Sequence, residues 1–186
     1  MEPRFSRQIP AGDVHERDVC ESCGFIDYVN PRILVGSVVT WEGRYLLCRG
    51  DIEPRRGFWT LPAGYMEVGE TAIEGAKREA WEEARAKLSL EGLLAVYDLP
   101  HIAQVQLLYR GVLLSPEVEA AEETSEVGLF AFDEIPWEDL AFPTVHWALN
   151  RHHSLGDSPL GAPATNPVGG TGRIPELEGP GAAEEV

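Results

Sequence analysis

The segment from Gly64 to Glu83 constrains the fold more than any other part of this 186-residue chain. Thr71 and, three residues later, Glu74 form a capping box, which predicts that a helix begins at Thr71. Residues at positions i, i+3 and i+4 of a helix share one face. Three glutamates have this spacing: Glu79, Glu82 and Glu83. The sequence therefore predicts a helix with a narrow acidic stripe.

The acidic stripe has two interpretations. Neighbouring carboxylates repel one another, and the repulsion grows when they are partly buried. A hard divalent cation with oxygen ligands would neutralise such a cluster, hold phosphate oxygens and lower the pKa of a bound water. Acidic pairs on helices are, however, most often a solvated face, so the stripe alone does not decide between the two.

Strands are predicted on both sides of this helix. The β-branched segment Ile33–Trp41 predicts a strand, and Glu42-Gly43 predicts a turn into a hairpin partner over Arg44–Cys48. Helical spacing of apolar residues predicts a closing helix over Phe142–His152. Further strands are predicted over four segments: Phe58–Leu61, Leu93–Tyr97, Ala103–Leu114 and Val127–Phe132. The alternation indicates an α/β domain.

The two ends of the chain differ from its centre. Residues 1–30 are polar, and residues 154–186 are rich in Gly, Pro and Ala, with little to bury, so we expect a disordered tail. No apolar run reaches the ~20 residues that a membrane span needs, and the first residues contain no signal-peptide core. We therefore expect a cytoplasmic protein without a membrane partner.

The charge of the chain bears on its partners. A formal charge of −16 and a pI of about 4.6 mean that most of the surface would repel nucleic acid. We therefore expect no nucleic-acid partner. An anionic small-molecule substrate would need a local cation, supplied by a bound metal or a few arginines.

The full spacing of the 64–83 segment is more specific than its acidic stripe. Six positions match the pattern G-x5-E-x7-R-E-U-x-E-E-x-G-U, in which U is a bulky aliphatic residue: Gly64, Glu70, Arg78, Glu79, Glu82 and Glu83. This pattern is the box of the Nudix hydrolases, and the chain resembles that family from about Val19 to His152. The resemblance implies a Nudix-type α/β/α sandwich with a mixed β-sheet over residues 31–153.

Segments outside the box resemble one branch of the family. Tyr28-Val-Asn-Pro31, Gly57-Phe-Trp-Thr-Leu-Pro-Ala-Gly64 and Phe132-Asp-Glu-Ile-Pro136 are similar to a branch that includes FAD and ADP-ribose diphosphatases. The resemblance implies hydrolysis of the diphosphate in a nucleoside diphosphate linked to another moiety, with FAD or ADP-ribose as substrate, and a homodimer. Two alternatives are an NADH diphosphatase and a catalytically silent nucleotide-binding regulator. The Ser-Gln-Pro-Trp-Pro-Phe-Pro run that is typical of NADH diphosphatases is missing from this sequence. Silent regulators typically lose glutamates of the box, whereas this sequence keeps them.

The resemblance also implies roles for the residues of the box. Family members bind Mg2+ or Mn2+, and the corresponding ligands here are Glu79, Glu82 and Glu83, assisted by Glu70 and a backbone carbonyl at Ala63. Arg78 then has a structural role, paired with Glu70, and Gly64 opens the box. The physical argument agrees, because one arginine offsets only part of the charge of these glutamates.

The general base is open between three sources. Glu82 or Glu83 can serve, but some Nudix enzymes use a glutamate of a later loop. In the acidic run before the last predicted strand, Glu123 and Glu126 are best placed. Such a run is otherwise an ordinary solvated loop.

Three positions depart from the box. Ala80 and Ala86 stand where larger aliphatic residues are usual, and the glycine after the Glu-Glu pair is Arg85 here. That glycine commonly ends the helix in a left-handed conformation, which costs a residue with a side chain about 1–2 kcal/mol. The helix is therefore predicted either to run past Arg85 or to leave Arg85 strained.

Substrate contacts are predicted beside the box. Arg49 and Arg56 belong to the densest basic cluster and could bind phosphate, although salt bridges to surplus carboxylates are an equal alternative. Tyr65 could stack on a base, with ordinary packing as its alternative.

A cysteine pair lies upstream of the box. Cys20-x-x-Cys23-Gly24 is half of a zinc ribbon, and similar Nudix proteins carry a second pair that is missing here. The only nearby residue of another ligand type is His15, and Cys48 lies on a predicted strand. We therefore favour a relic turn over a zinc site at Cys20 and Cys23.

Overall fold

The computed structural model describes residues 4–177, which fall into two compact units divided after Pro31. The first unit is a three-stranded antiparallel sheet of β1 (Phe5–Gln8), β2 (Arg17–Cys20) and β3 (Ile26–Asp27) in that order. Only the turn between β2 and β3 was predicted from the sequence of this unit. These strands were missed because they are two to four residues long and mostly polar.

The second unit contains seven strands and two α-helices in residues 32–177. Their bounds are β4 (Arg32–Trp41), β5 (Arg44–Gly50), β6 (Trp59–Thr60), β7 (Ala63–Tyr65), α1 (Ala72–Ala84), β8 (Leu88–Leu99), β9 (Gln104–Leu113), β10 (Thr124–Phe130) and α2 (Pro143–Leu155). All strands and both helices predicted for the centre of the chain are present, and β7 is additional.

The seven strands form one mixed sheet. The strand order is β10-β5-β4-β9-β8, with β6 paired to β5 and β7 paired to β4. β4 runs parallel to β9 over most of its length, and the other pairs are antiparallel. The start of β4 therefore lies between β7 and β9, which places the short β7 at an edge of the sheet.

The helices cover opposite faces of this sheet. Val39 packs with Ala80 and other residues of the α1 side, whereas its neighbour Val38 packs with Val145 and other residues of the α2 side. Since consecutive strand residues point to opposite faces, the sheet lies between the two helices. The predicted α/β/α sandwich with a mixed sheet is confirmed. Within residues 4–177, the structure contains no helix with the length and apolar character of a membrane span.

Helix α1 begins as its capping box predicts. The Thr71 side chain accepts a hydrogen bond from the Glu74 amide, and the Glu74 carboxylate accepts one from the Thr71 amide. The helix ends at Ala84, and Arg85 takes the left-handed conformation with φ 51° and ψ 22°. The second of the two predicted outcomes for Arg85 is therefore correct.

The expectation of a disordered tail is wrong for residues 156–177. Ala164 pairs with β8 through its amide to the Leu94 carbonyl (2.9 Å) and through its carbonyl to the Val96 amide (2.8 Å). The Asn166 side chain bonds both backbone groups of Asp98. The open edge of β8 supplies these partners, which the tail's composition does not reveal. Residues 178–186 of the predicted tail lie outside the described part of the chain.

Candidate active site

β7 brings Gly64 directly against helix α1. Gly64 pairs with Val35 of β4, and a Cβ atom on Gly64 would overlap the carboxylate of Glu79. A side chain at this position would require the Glu79 carboxylate to move. The lack of a side chain at the first glycine of the box therefore lets this carboxylate lie directly against β7.

Arg78 bonds two glutamates of the acidic stripe and one glutamate of the preceding loop. Its Nε and Nη2 donate to the Glu70 carboxylate at 3.0 and 2.8 Å, and its Nη1 donates to Glu79 at 2.7 Å and Glu82 at 2.9 Å. Nη2 also donates to the backbone carbonyl of Tyr65 at 3.0 Å. One guanidinium thus joins the helix to both the preceding loop and β7.

Both oxygens of Glu70 are engaged. Besides Arg78, the Glu70 carboxylate accepts a hydrogen bond from the Glu67 amide at 2.7 Å. The hydrogen bonds from Arg78, followed by that from Glu67, lower the pKa of Glu70 to about 2. These contacts hold the loop against the helix, so Glu70 is placed to position Arg78.

Glu83 is the most perturbed group of the stripe. Burial, followed by the nearby negative charge of Glu79, raises its pKa to about 8. The Ala63 amide and the Cys48 thiol donate hydrogen bonds to this carboxylate, yet its Oε2 is buried without a partner within residues 4–177. Burial also raises the pKa of Glu79. Two adjoining carboxylates are therefore held in conditions that penalise their charge.

The stripe has the donor chemistry of a hard-cation site. Glu79, Glu82 and Glu83 offer carboxylate oxygens, and the buried Glu83 Oε2 has an unused lone pair. In the structure Arg78 occupies the space among Glu70, Glu79 and Glu82, and within residues 4–177 no three acidic, His or Cys side chains converge as a ligand set. The residues fit a divalent cation by type and by the incomplete neutralisation of Glu83.

The structure separates the two candidate bases of the later loop. The charge of Glu123 contributes to raising the pKa of both Glu79 and Glu83, so its carboxylate lies near the stripe. Glu126 instead forms an ion pair with Arg49 at 3.2 Å. Sequence spacing could not distinguish them, because the backbone is irregular between Thr124 and Glu126.

The arginines predicted to bind phosphate lie in ion pairs and backbone contacts. Arg49 donates to the Gly57 carbonyl as well as to Glu126, and Arg56 pairs with Asp51 at 2.8 Å. Both side chains are exposed and their partners are surface carboxylates. The salt-bridge alternative thus describes their positions in this structure.

Three further residues lie near the site and were not predicted to belong to it. Cys48 lies on β5 and contacts Glu83, and its own pKa is raised well above the usual value, chiefly by burial. Gln104 and Gln106 are buried on β9, and Gln104 donates to the Tyr65 hydroxyl at 3.3 Å. Alternate glutamines in an apolar strand were the available signal for the last two.

The first unit offers an incomplete ligand set for zinc. The Cys20 Sγ lies 3.1 Å from the Ser22 hydroxyl, and Cys20 is buried while Cys23 is exposed. In the part of the chain that the structure describes, no third His, Cys, Asp or Glu side chain completes a group with them. The residues present do not fit a four-ligand zinc site.

The sandwich and its site define a class of protein. It is the class of α/β/α sandwiches in which an acidic helix and the glycine strand before it form one unit. Residues 30–149 match the family model of the NUDIX domain, and residues 3–29 match that of the Nudix N-terminal zinc ribbon. The chain belongs to the Nudix hydrolase family.

Known relatives extend this picture. A Nudix hydrolase from Nitrosomonas europaea, known from a crystal structure, is 42% identical, covers 88% of this chain and 92% of its own, and has a TM-score of 0.79. An ADP-ribose pyrophosphatase from Methanocaldococcus jannaschii is 26% identical over 59% of this chain and 67% of its own length. A MutT-like protein from Streptomyces ambofaciens is 30% identical over 55% of this chain and 64% of its own.

Proposed function

We propose that this Nudix hydrolase uses Mg2+ or Mn2+ to cleave the diphosphate linkage of a nucleoside diphosphate joined to another moiety, with FAD or ADP-ribose as substrate. The observation that carries the proposal is the state of Glu83. Within residues 4–177, one oxygen of this buried carboxylate, next to the buried Glu79, has no hydrogen-bond partner, so its ionised form is destabilised unless a cation binds. The name of the Methanocaldococcus relative supports ADP-ribose as one substrate.

The charges of the stripe favour a metal over a purely structural role. Arg78 bonds three of the carboxylates, namely Glu70, Glu79 and Glu82, and its single charge cannot neutralise them all. Within residues 4–177, the hydrogen-bond donors to Glu83 are neutral groups, the Ala63 amide and the Cys48 thiol. A divalent ion would supply the missing positive charge.

The metal would be held by Glu79, Glu82 and Glu83, with the backbone at Ala63 beside them. When bound, the metal supplies a Lewis acid for phosphate oxygens and lowers the pKa of a coordinated water. The chain's own part is positioning: Glu70 fixes Arg78, and Arg78 fixes the stripe relative to β7. Water adds to one phosphorus, the bridging P–O bond breaks, and two monophosphates leave.

Glu123 is the better candidate for the base among the loop glutamates. It lies near Glu79 and Glu83, whereas Glu126 is engaged by Arg49. We expect E123Q to lower kcat about 100-fold or more and E126Q to change it less than about threefold. Near-normal turnover in both variants would leave Glu82 or Glu83 as the base.

A substrate panel tests the proposal. FAD, ADP-ribose, NADH and nucleoside triphosphates are incubated with Mg2+ or Mn2+, and the products are separated by ion-exchange chromatography. We expect FMN and AMP from FAD, or AMP and ribose 5-phosphate from ADP-ribose, with loss of both in the E83Q variant. Preferred cleavage of NADH would favour the NADH diphosphatase alternative. No turnover with either metal would overturn the proposal and favour a nucleotide-binding regulator.

A further inference from the structure

We infer that Tyr65 is the contact for the nucleobase of the substrate, and that Gln104 and Gln106 are positioning residues for its hydroxyl. Arg32 covers one face of the Tyr65 ring at 4.7 Å from its centroid. The inference rests on the proposed function, since it concerns how the base of a nucleotide substrate is held.

Tyr65 is directly connected to the acidic stripe. Consecutive strand residues point to opposite faces, so β7 presents Gly64 to the Glu79 carboxylate and Tyr65 to the other face of the sheet. The Tyr65 carbonyl accepts a hydrogen bond from Arg78, which also binds Glu79. A nucleotide whose diphosphate lies at the stripe can therefore place its base across this edge strand, against Tyr65.

Two buried amides form a chain of hydrogen bonds behind the tyrosine. Gln106 Nε2 donates to Gln104 Oε1 at 2.8 Å, and Gln104 Nε2 donates to the Tyr65 hydroxyl oxygen at 3.3 Å. Both glutamines are 7% exposed. Burying amides costs more than burying aliphatic side chains unless their hydrogen bonds are made, and a connected chain strengthens each bond. This arrangement fixes the orientation of one hydroxyl group.

The fixed hydroxyl can still act as a donor. Because the Tyr65 oxygen accepts from Gln104, its own O–H is directed away from the glutamine. Tyr65 is 44% exposed, and the Arg32 Cζ lies 4.7 Å from the centroid of its ring. The site therefore offers one donor and exposed aromatic surface. Nucleobases combine a π face with ring acceptors at their edges, which is the matching chemistry.

Ligand binding without turnover tests the inference. Titration calorimetry measures the Kd of ADP-ribose, FAD, AMP and ribose 5-phosphate in the E83Q background with Mg2+. We expect Y65F to weaken AMP and ADP-ribose about tenfold and Y65A about 100-fold, as one hydrogen bond and one stacked base are lost. Ribose 5-phosphate, which has no base, should bind equally in all variants.

A matched tyrosine serves as the control. Tyr28 is also exposed (55%) and also has an arginine over its ring, Arg17 at 5.3 Å. Y28F should leave every Kd unchanged. Y65F is a surface change that removes one oxygen, so its result does not depend on the folding of a core variant.

A double-mutant cycle tests the glutamines. Q104L alone should weaken AMP about fivefold, and it should add nothing in the Y65F background, because its effect passes through the hydroxyl. Equal losses in both backgrounds would show a merely structural role and overturn that part of the inference.

The two proposals fail differently. If the wild-type chain binds ADP-ribose or FAD but cleaves neither, the hydrolase proposal fails while the Tyr65 subsite is still measured. If it cleaves them and Y65F and Y65A bind like the parent, the subsite is wrong. If no nucleotide binds at all, both are wrong.

Discussion

The two units of this chain each carry a pattern that the family associates with metal, but they differ in the donors that the pattern supplies. The box of the second unit places Glu79, Glu82 and Glu83 on one helix and adds the glycine and arginine that position them. The first unit has one cysteine pair, Cys20 and Cys23, where a zinc ribbon needs two.

The difference shows what replaces a metal when its ligands are incomplete. In the first unit hydrogen bonds close the turn, from the Cys20 amide to the Phe25 carbonyl at 2.8 Å and from the Gly24 amide to the Cys20 carbonyl at 2.9 Å. In the box, by contrast, Glu83 Oε2 is buried without a hydrogen-bond partner within residues 4–177. The turn is already satisfied, whereas a buried carboxylate must be neutralised by a proton or a cation.

The largest effect is expected for the variant Gly64→Ala in the second unit. The added Cβ would overlap the Glu79 carboxylate, so we expect about a 100-fold loss of turnover and a destabilisation of about 1–3 kcal/mol. Steady-state kinetics and urea unfolding measure the two effects. Gly161→Ala is the control, because a Cβ there meets no atom within 4 Å. Equal behaviour of the two variants would show that the site does not depend on this close approach.

The pH dependence of stability tests the buried carboxylate of Glu83. Glu83 has a pKa of about 8 in the folded chain and of 4.5 as an isolated group, so folding binds a proton between these values. The free energy of unfolding contributed by Glu83 is therefore fully present below about pH 4.5 and is lost as pH rises through about 8. With chelator present, we expect E83Q to become steadily more stable than the parent from about pH 5 to pH 8.5, by a few kcal/mol.

Urea unfolding at several pH values provides that measurement. E126Q is its control, because Glu126 is exposed and ion-paired on the surface. A constant difference between E83Q and the parent across the range would show that Glu83 does not keep its proton on folding.

Features of the fold that are set by neighbouring residues in the sequence could be predicted. The start of α1 at Thr71 was predicted correctly, and the strain at Arg85 is one of the two outcomes predicted there, because both depend on side chains within a few residues. The strand alternation around them indicated an α/β domain, and the family resemblance implied the sandwich. Element order and type required no long-range information.

Contacts between distant segments could not be predicted in the same way. Cys48 meets Glu83, and Gln104 meets Tyr65, only because β4 brings β5, β7 and β9 together. The tail was predicted as disordered because its composition is poor in apolar residues, while its order comes from the free edge of β8. Such partners are fixed by topology and register, which the local pattern does not specify.

A smaller effect is expected at Arg85, which stands in place of a glycine of the box. Arg85 has a left-handed conformation with φ 51°, which is strained for a residue with a side chain. Arg85→Gly should therefore raise the stability by about 1 kcal/mol without changing kcat, while Arg85→Ala, which keeps the strain, should not. Thermal unfolding measures both variants. A loss of turnover in Arg85→Gly would mean that the arginine itself has a role at the site.

The smallest effect is expected in the first unit. Protein purified without chelator should contain less than about 0.1 zinc per chain, and the double variant Cys20→Ser/Cys23→Ser should keep its Tm within about 1 °C. The physical reason is that the two cysteines lack further ligands within residues 4–177 and that backbone hydrogen bonds already close the turn. Hydrogen bonds from the Ser22 hydroxyl and then from neighbouring amides lower the pKa of Cys20 to about 7 without a metal. Stoichiometric zinc, with a clear loss of Tm in the double variant, would show that a complete site forms after all, with ligands drawn from a second chain.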